Sequence, residues 1–311
     1  MNSRRVLFLT ECHPDANPSL GLSNHYNNLF ATFKQSGLGE YKVIHYDVME
    51  KNIFNSAVIA CLNGWKPELV VLSYLGTHPS NPSDELLKKI SASVPIAIVW
   101  PDINYGWSIN KINSLGDIAS LHISWDYDVI NHEYPEKQLK LWTPQDETMF
   151  YNKPEEKVNV ASFIGSLNGY SDRSKYLNYV QEHFKDLLVT GGQREQKLSP
   201  KEYANYIRRS RIGINFCESP TGKDQCKGRV FEILASGNLL LEKKNEATEK
   251  LFMPAWDYIE FNSPKDLLEL IEAHIESPHF GAQVAQRGYK TFKEKYNNKI
   301  FWQTILSRVQ L

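Results

Sequence analysis

RIGINFCESPTGKDQCKGRVFEILASGNLLLEK, residues 211–243, decides the fold. A short apolar run, RIGINF (211–216), leads through a polar loop into a helix that starts near Gly228 and ends at Gly237. The chain then passes straight into a second apolar run, NLLLEK (238–243). Runs of near-continuous hydrophobicity are those of strands buried on both faces, and parallel strands need a crossover of this helical kind.

The same alternation extends in both directions. NVASFIG (159–165), DLLVTGG (186–192) and DYIEFN (257–262) belong with the two runs above. An earlier series comprises RVLFLT (5–10), YKVIHYD (41–47), PELVVLSY (67–74), VPIAIVW (94–100) and IASLHIS (118–124), with LSNHYNNLFATFKQSG and SDELLKKISAS as crossover helices. Between the series, WTPQDETMFYNKPEEKV (142–158) is polar, holds two prolines and keeps no period. The pattern predicts an α/β protein of two Rossmann-like, doubly wound parallel-sheet domains, 1–157 and 158–290, with an interdomain cleft. The tail, 291–311, is expected as a helix packing back on the first domain, with a break around Tyr296-Asn297-Asn298.

Composition agrees with two cores, since 41% of the 311 residues are hydrophobic and a single core stops growing at roughly 250–300 residues. A net charge of -1 and a pI near 6.8 give no global basis for nucleic-acid binding. The apolar run in MNSRRVLFLTECHPD is too short for a signal peptide, and no segment nears the roughly 18 apolar residues of a membrane span. Cys12, Cys61, Cys217 and Cys226 have neither zinc-ligand nor disulfide-framework spacing, so reduced thiols and a cytoplasmic location are expected.

Chemistry is expected past the strand ends. NVASFIGSLNGYSDR places Gly165, Ser166 and Gly169 ahead of a helix starting at Ser171 or Asp172, a turn able to offer backbone N–H groups to a phosphate. Arg173 in its first turn opposes the helix dipole, which argues for an anion nearby. In GRVFEILASGN, Arg229 and Glu232 share a face at i, i+3 while Val230, Phe231, Ile233 and Leu234 pack on the sheet. A surface ion pair would contribute little there. At a strand's carboxyl end, a guanidinium suits a diphosphate and a carboxylate suits ribose hydroxyls.

The loop CESPTGKDQCKG adds Glu218, Ser219, Thr221, Lys223, Asp224 and Lys227 as donor-side candidates. On the other domain, His13, His78 and Asp102 are the titratable groups placed to face an acceptor hydroxyl, with Tyr74, Trp100, Tyr105 and Trp107 around them. Asp126 and Asp128 in WDYDV spell a metal-binding DxD, but they read as a helix N-cap and acidic first turn, so no metal or other cofactor is expected.

These residues carry a resemblance. NVASFIGSLNGYSDR, YANYIRRSRIGINF, GRVFEILASGNLLLEKKNEATEKLF, DYIEFNSPKDLLELIEAHIESP and AQRGYKTFKEKYN follow in the order of the carboxyl-terminal domain of GT-B glycosyltransferases. The match is with the glycosyl transferase group 1-like branch that includes the CgeB-like spore maturation proteins. IVWPD and LWTPQDETMF in the first half are compatible with that branch. The resemblance implies a hexosyltransferase-like enzyme that moves a sugar from a nucleotide-diphosphate sugar to an acceptor hydroxyl. Glu232 would hold the ribose as in retaining relatives, with Arg229 near the diphosphate. Those relatives often carry a glutamate eight positions earlier, where Asp224 stands here. The alternatives are a metal-dependent transferase using Asp126 and Asp128, and a nucleotide- or sugar-binding module without turnover.

Overall fold

The computed structural model describes residues 3–101, 103, 105–125, 133–167, 170–191, 198–219 and 222–311. Asp102, Asp126, Asp128, Gly169 and Thr221 lie outside the described residues. The chain divides into two compact units, 1–142 with 298–311 and 143–297.

The first unit holds β1 (Arg4–Thr10), a π-helical run Tyr26–Ala31 continuing as α1 (Thr32–Ser36), and β2 (Gly39–His45). Then come α2 (Lys51–Gly64), β3 (Leu69–Ser73), α3 (Asp84–Ser91), β4 (Ile96–Trp100), α4 (Gly106–Ser114), β5 (Leu121–Ser124) and β6 (Gln138–Lys140). All strands are parallel, in the order β2-β1-β3-β4-β5-β6. β3, β4 and β5 are wholly buried, as continuous apolarity requires, and β1 is buried from Val6 onward. The crossovers are amphipathic: in α3, Ser83 caps the Leu86 N–H, acids open the helix, lysines close it, and Leu86, Leu87 and Ile90 face inward. β6 escapes the sequence pattern because three half-buried residues carry no period.

The second unit holds β7 (Asn159–Ile164), α5 (Ser171–His183), β8 (Leu187–Thr190), α6 (Pro200–Arg208), β9 (Ser210–Asn215), α7 (Gly228–Ala235) and β10 (Leu239–Lys243). It continues with α8 (Glu246–Glu249), β11 (Ile259–Phe261), α9 (Pro264–Glu276) and α10 (Pro278–Lys295). Its sheet is parallel, β11-β10-β9-β7-β8. The close packing of α7 on β9 depends on Gly213: a Cβ there would stand 2.6 Å from Ile233 Cγ1 and 2.7 Å from its Cδ1. Gly213→Ala should therefore cost about 1–3 kcal/mol by overpacking. An unchanged melting temperature would contradict this packing.

The units divide at Trp142 and Thr143, earlier than the boundary read at 157. Residues 143–157 are tied to the second unit: Gln145 Nε2 donates to Gly228 O (3.4 Å), Arg208 Nη1 to Met149 O (2.7 Å), and Lys157 Nζ to Ser236 O (2.7 Å). The returning helix begins at Asn298 rather than 291, since Thr291 and Tyr296 still bond to Asp257 and Leu251 of the second unit. From there α11 (Asn298–Arg308) docks on the first unit. Trp302 packs 5.1 Å from the Phe33 ring and 5.7 Å from Phe8, and its Nε1 donates to Thr32 Oγ1 (3.1 Å). All four cysteines are free, and no helix among the described residues is long and apolar enough to cross a membrane.

Candidate functional site

In an open parallel sheet, ligands bind where strand order reverses, beyond the strands' carboxyl ends. In the second unit that point lies between β7 and β9, because β8 adds on one side of β7 and β9 on the other. β7 ends in Gly165, whose N–H still donates to Thr190 O (3.0 Å). β9 ends in Asn215 and leads through the 216–227 loop to α7.

Two guanidiniums meet here. Arg173, in the first turn of α5, is 4% exposed; its Nη1 donates to Ser166 O (2.7 Å), its Nη2 to Glu218 O (3.5 Å), and it stacks 3.7 Å from the Tyr170 ring centroid. Arg229, in the first turn of α7, donates from Nη1 to Asn215 Oδ1 (3.0 Å). Both lie over Phe163, at 5.7 and 4.9 Å. The Nε–H of each is buried with no acceptor among the described residues, and no described carboxylate lies within ion-pair distance of either. Burial, and then the positive charge of Arg229, push the Arg173 pKa down to about 10, so Arg173 remains a cation at neutral pH. Two like charges, one buried and one half-buried, with no carboxylate paired to them among the described residues, form a site that an anion would stabilise.

Gly165 makes the arrangement possible. A Cβ at this position would stand 2.2 Å from Arg229 Nη2 and 2.9 Å from its Cζ. Gly165→Ala should leave the fold intact, because the end of a flexible side chain can move, yet displace the guanidinium. Nucleotide affinity, read by calorimetry, should fall roughly tenfold. Unchanged affinity would remove Arg229 from the binding surface.

Glu232 does not pair with Arg229. Its carboxylate accepts from Tyr203 OH (2.5 Å), and burial raises its pKa against the opposing effects of Tyr203 and Arg229. The described parts of the loop, 216–219 and 222–227, fold against each other: Glu218 and Asp224 form a β-bridge, the Ser219 N–H donates to Lys223 O (3.1 Å), and Gly222 takes φ +75. Lys243 anchors it to α5, reaching Asp172 (2.8 Å) and Glu218 (3.1 Å). Lys223 and Asp224 are exposed, the latter accepting from Cys217 Sγ (3.1 Å), and Lys227 Nζ donates to Gln225. The structure thus gathers Gly165, Ser166, Arg173, Glu218 and Arg229 by direct contact, while Lys223, Asp224 and Lys227 make other contacts.

Behind Arg229 lies a polar chain that periodicity conceals. Asn215 Nδ2 donates to Glu242 Oε2 (2.8 Å), and Asn245 Nδ2 (3.4 Å) and Thr248 Oγ1 (3.5 Å) donate to Oε1. Burial lifts the Glu242 carboxyl to about 7. Asn215 and Glu242, polar residues inside apolar strands, were the available signal.

In the first unit the order reverses between β1 and β3. His13 Nδ1 bonds to Gly21 O (2.8 Å), which makes it the donor and leaves Nε2 as the basic nitrogen of the neutral ring. His78 is the reverse case: Nδ1 accepts from the Ser80 N–H (3.3 Å), so the neutral ring carries its proton on Nε2 and can donate. A buried pair was missed. Glu11, 8% exposed, faces His25 Nε2 at 3.1 Å and accepts from Ser23 Oγ (2.8 Å) and Tyr46 OH (3.1 Å). Burial works to raise its pKa, yet the His25 charge and the hydrogen bonds from His25 and Ser23 hold the carboxyl at about 2. No cluster of metal-ligating side chains occurs among the described residues.

Residues 165–307 match the model of a family described as glycosyl transferase-like. Among solved structures, a glycosyltransferase from Rickettsia africae ESF-5 superposes with a TM-score of 0.62 at 10% identity, over 100% of both chains. HepE of Anabaena, solved with UDP and glucose, gives 0.60 at 11% identity, over 98% of this chain and 99% of its own. Sucrose-phosphate synthase of Thermosynechococcus elongatus gives 0.62 at 10%, over 98% and 99%. No curated protein sequence matches the chain. At these identities the structural likeness is one of fold: two parallel-sheet α/β units in the GT-B architecture, the second carrying the glycosyl transferase-like match.

Proposed function

We propose that this chain, a glycosyltransferase by the domain in its second unit and by its GT-B fold, takes a sugar from a nucleoside diphosphate sugar and transfers it to an acceptor hydroxyl. The observation that carries this reading is the pair of guanidiniums, the buried Arg173 and the half-buried Arg229, on one phenyl ring at the switch point of the second sheet. Breaking the glycosidic bond leaves charge on a diphosphate oxygen. Fixed cations in a low-dielectric site stabilise that charge without reorganising. Glu232 and the backbone after β7 would orient the rest of the donor. HepE, solved with UDP and glucose, favours uridine as the base.

Metal independence belongs to this proposal, since the two arginines already offer the positive charge that a divalent ion would otherwise supply. Full turnover in excess EDTA is the expected result; loss restored by Mg²⁺ or Mn²⁺ would favour the metal-dependent alternative through Asp126 and Asp128. The nucleotide is identified by calorimetry with UDP, GDP, ADP, CMP and TDP. Failure of all five to bind would overturn the reading.

Retention of configuration follows from the resemblance at Glu232, with His78 positioning the acceptor hydroxyl through its Nε2 proton. The same resemblance in segment order supports a place in the CgeB-like branch. His13, with its free Nε2, and Asp102 are the bases that an inverting reaction would use. The anomer of the product, read by NMR, decides between the two courses.

A further inference from the structure

The first unit contains a cavity of about 470 Å³ that the donor site does not use. It lies between the turn that follows β3 and one side of α4, and its walls include Tyr74, Thr77, His78, Trp107, Asn110 and Lys111. The volume falls within the roughly 300–1,000 Å³ of small-molecule sites. β3 borders the switch point of this sheet, where a ligand is expected.

The walls are built in advance of any ligand. Asn81 closes the turn: its Oδ1 accepts from the Leu75 N–H (2.9 Å) and its Nδ2 donates to Gly76 O (3.1 Å), with Gly76 at φ +47. Tyr74 stacks on the buried Trp100 at 5.6 Å and 19°, and Trp107 leans on the same indole at 6.0 Å. Two aromatic surfaces are thus held by a third that belongs to the core.

The polar groups and the charge select the ligand. Tyr74 OH is buried with no hydrogen-bond partner among the described residues. His78 Nε2 carries a proton to donate, and Asn110 is exposed. Among the described residues of the walls, Lys111 is the one permanently charged side chain, and it is already paired with Asp84 at 2.5 Å. A phosphate would meet no free cation among the described residues of these walls, in contrast to the two arginines of the second unit. A neutral ring with an apolar C–H face and several hydroxyls satisfies both the aromatic walls and the scattered donors and acceptors.

We infer that this cavity binds a carbohydrate, and that the acceptor hydroxyl belongs to a sugar. The acceptor role rests on the glycosyltransferase reading above; the binding of a neutral sugar does not.

The test is saturation-transfer and titration NMR on the full chain, with the methyl glycosides of glucose, galactose, mannose and N-acetylglucosamine as probes, and UDP in parallel. At least one glycoside should bind wild type and Arg229→Ala alike. Its affinity should fall tenfold or more in Trp107→Ala, be largely kept in Trp107→Phe, and weaken in His78→Ala, a variant outside the core. UDP binding should be unaffected by Trp107→Ala. The inference is overturned if no glycoside binds, if binding is indifferent to both Trp107→Ala and His78→Ala, or if UDP displaces the sugar from these residues. Should UDP fail to bind wild type while glycosides still depend on Trp107 and His78, the donor reading falls and the carbohydrate site stands.

Discussion

Arg229→Ala should lower kcat/KM by about 10²-fold or more, a loss of about 3 kcal/mol in transition-state stabilisation, with little change in melting temperature. The guanidinium is half-buried, makes one bond to Asn215 and lies over Phe163, so its removal disturbs the fold less than loss of Arg173 beneath Tyr170 would. Charge develops on the leaving diphosphate only as the sugar departs, so the effect should fall on kcat as well as on donor affinity. Arg229→Lys should recover part of the rate, because an ammonium restores the charge but not the planar fork. Unchanged turnover in a folded Arg229→Ala protein would remove the diphosphate assignment.

The second large effect is one of pH on stability. Burial lifts the Glu242 carboxyl from 4.5 to about 7, despite donors from Asn215, Asn245 and Thr248 and the charge of Arg229; Cys217 and Tyr258 are the other titratable groups in its field. The native protein therefore keeps a proton that the unfolded chain releases near 4.5. Its contribution to stability is full below that pH, declines as pH rises, and is lost above about 7, at most about 3 kcal/mol in all. Glu242→Gln cannot ionise, and its urea-unfolding free energy should lose this decline between pH 4.5 and 7. The same slope in the variant would show that Glu242 is not its source.

Ten of the eleven strands among the described residues are legible in the chain because the interior strands are largely apolar on both faces and helical stretches separate them, with side-chain caps at α3 and α6. The site is legible less evenly. Arg173 stands out because a cation in a helix's first turn opposes the dipole, and Arg229 because it shares a helix face with Glu232 just beyond a strand's carboxyl end; both are local rules that need no tertiary knowledge. The lysines of the 216–227 loop looked equivalent to them, yet the described parts of that loop fold against each other and Lys227 turns to Gln225.

What local order could establish was the alternation of strand and helix, the parallel sheets it requires, and the strand ends where chemistry must lie. It could not establish which side chains meet, since those meetings join residues far apart in the chain: Gly165 with Arg229, Glu232 with Tyr203, Glu11 with His25, Tyr74 with Trp100. Hydrophobic periodicity records which face of an element is buried. Hydrogen-bond partners depend on distances and angles of a few tenths of an ångström, and only the packed chain sets those.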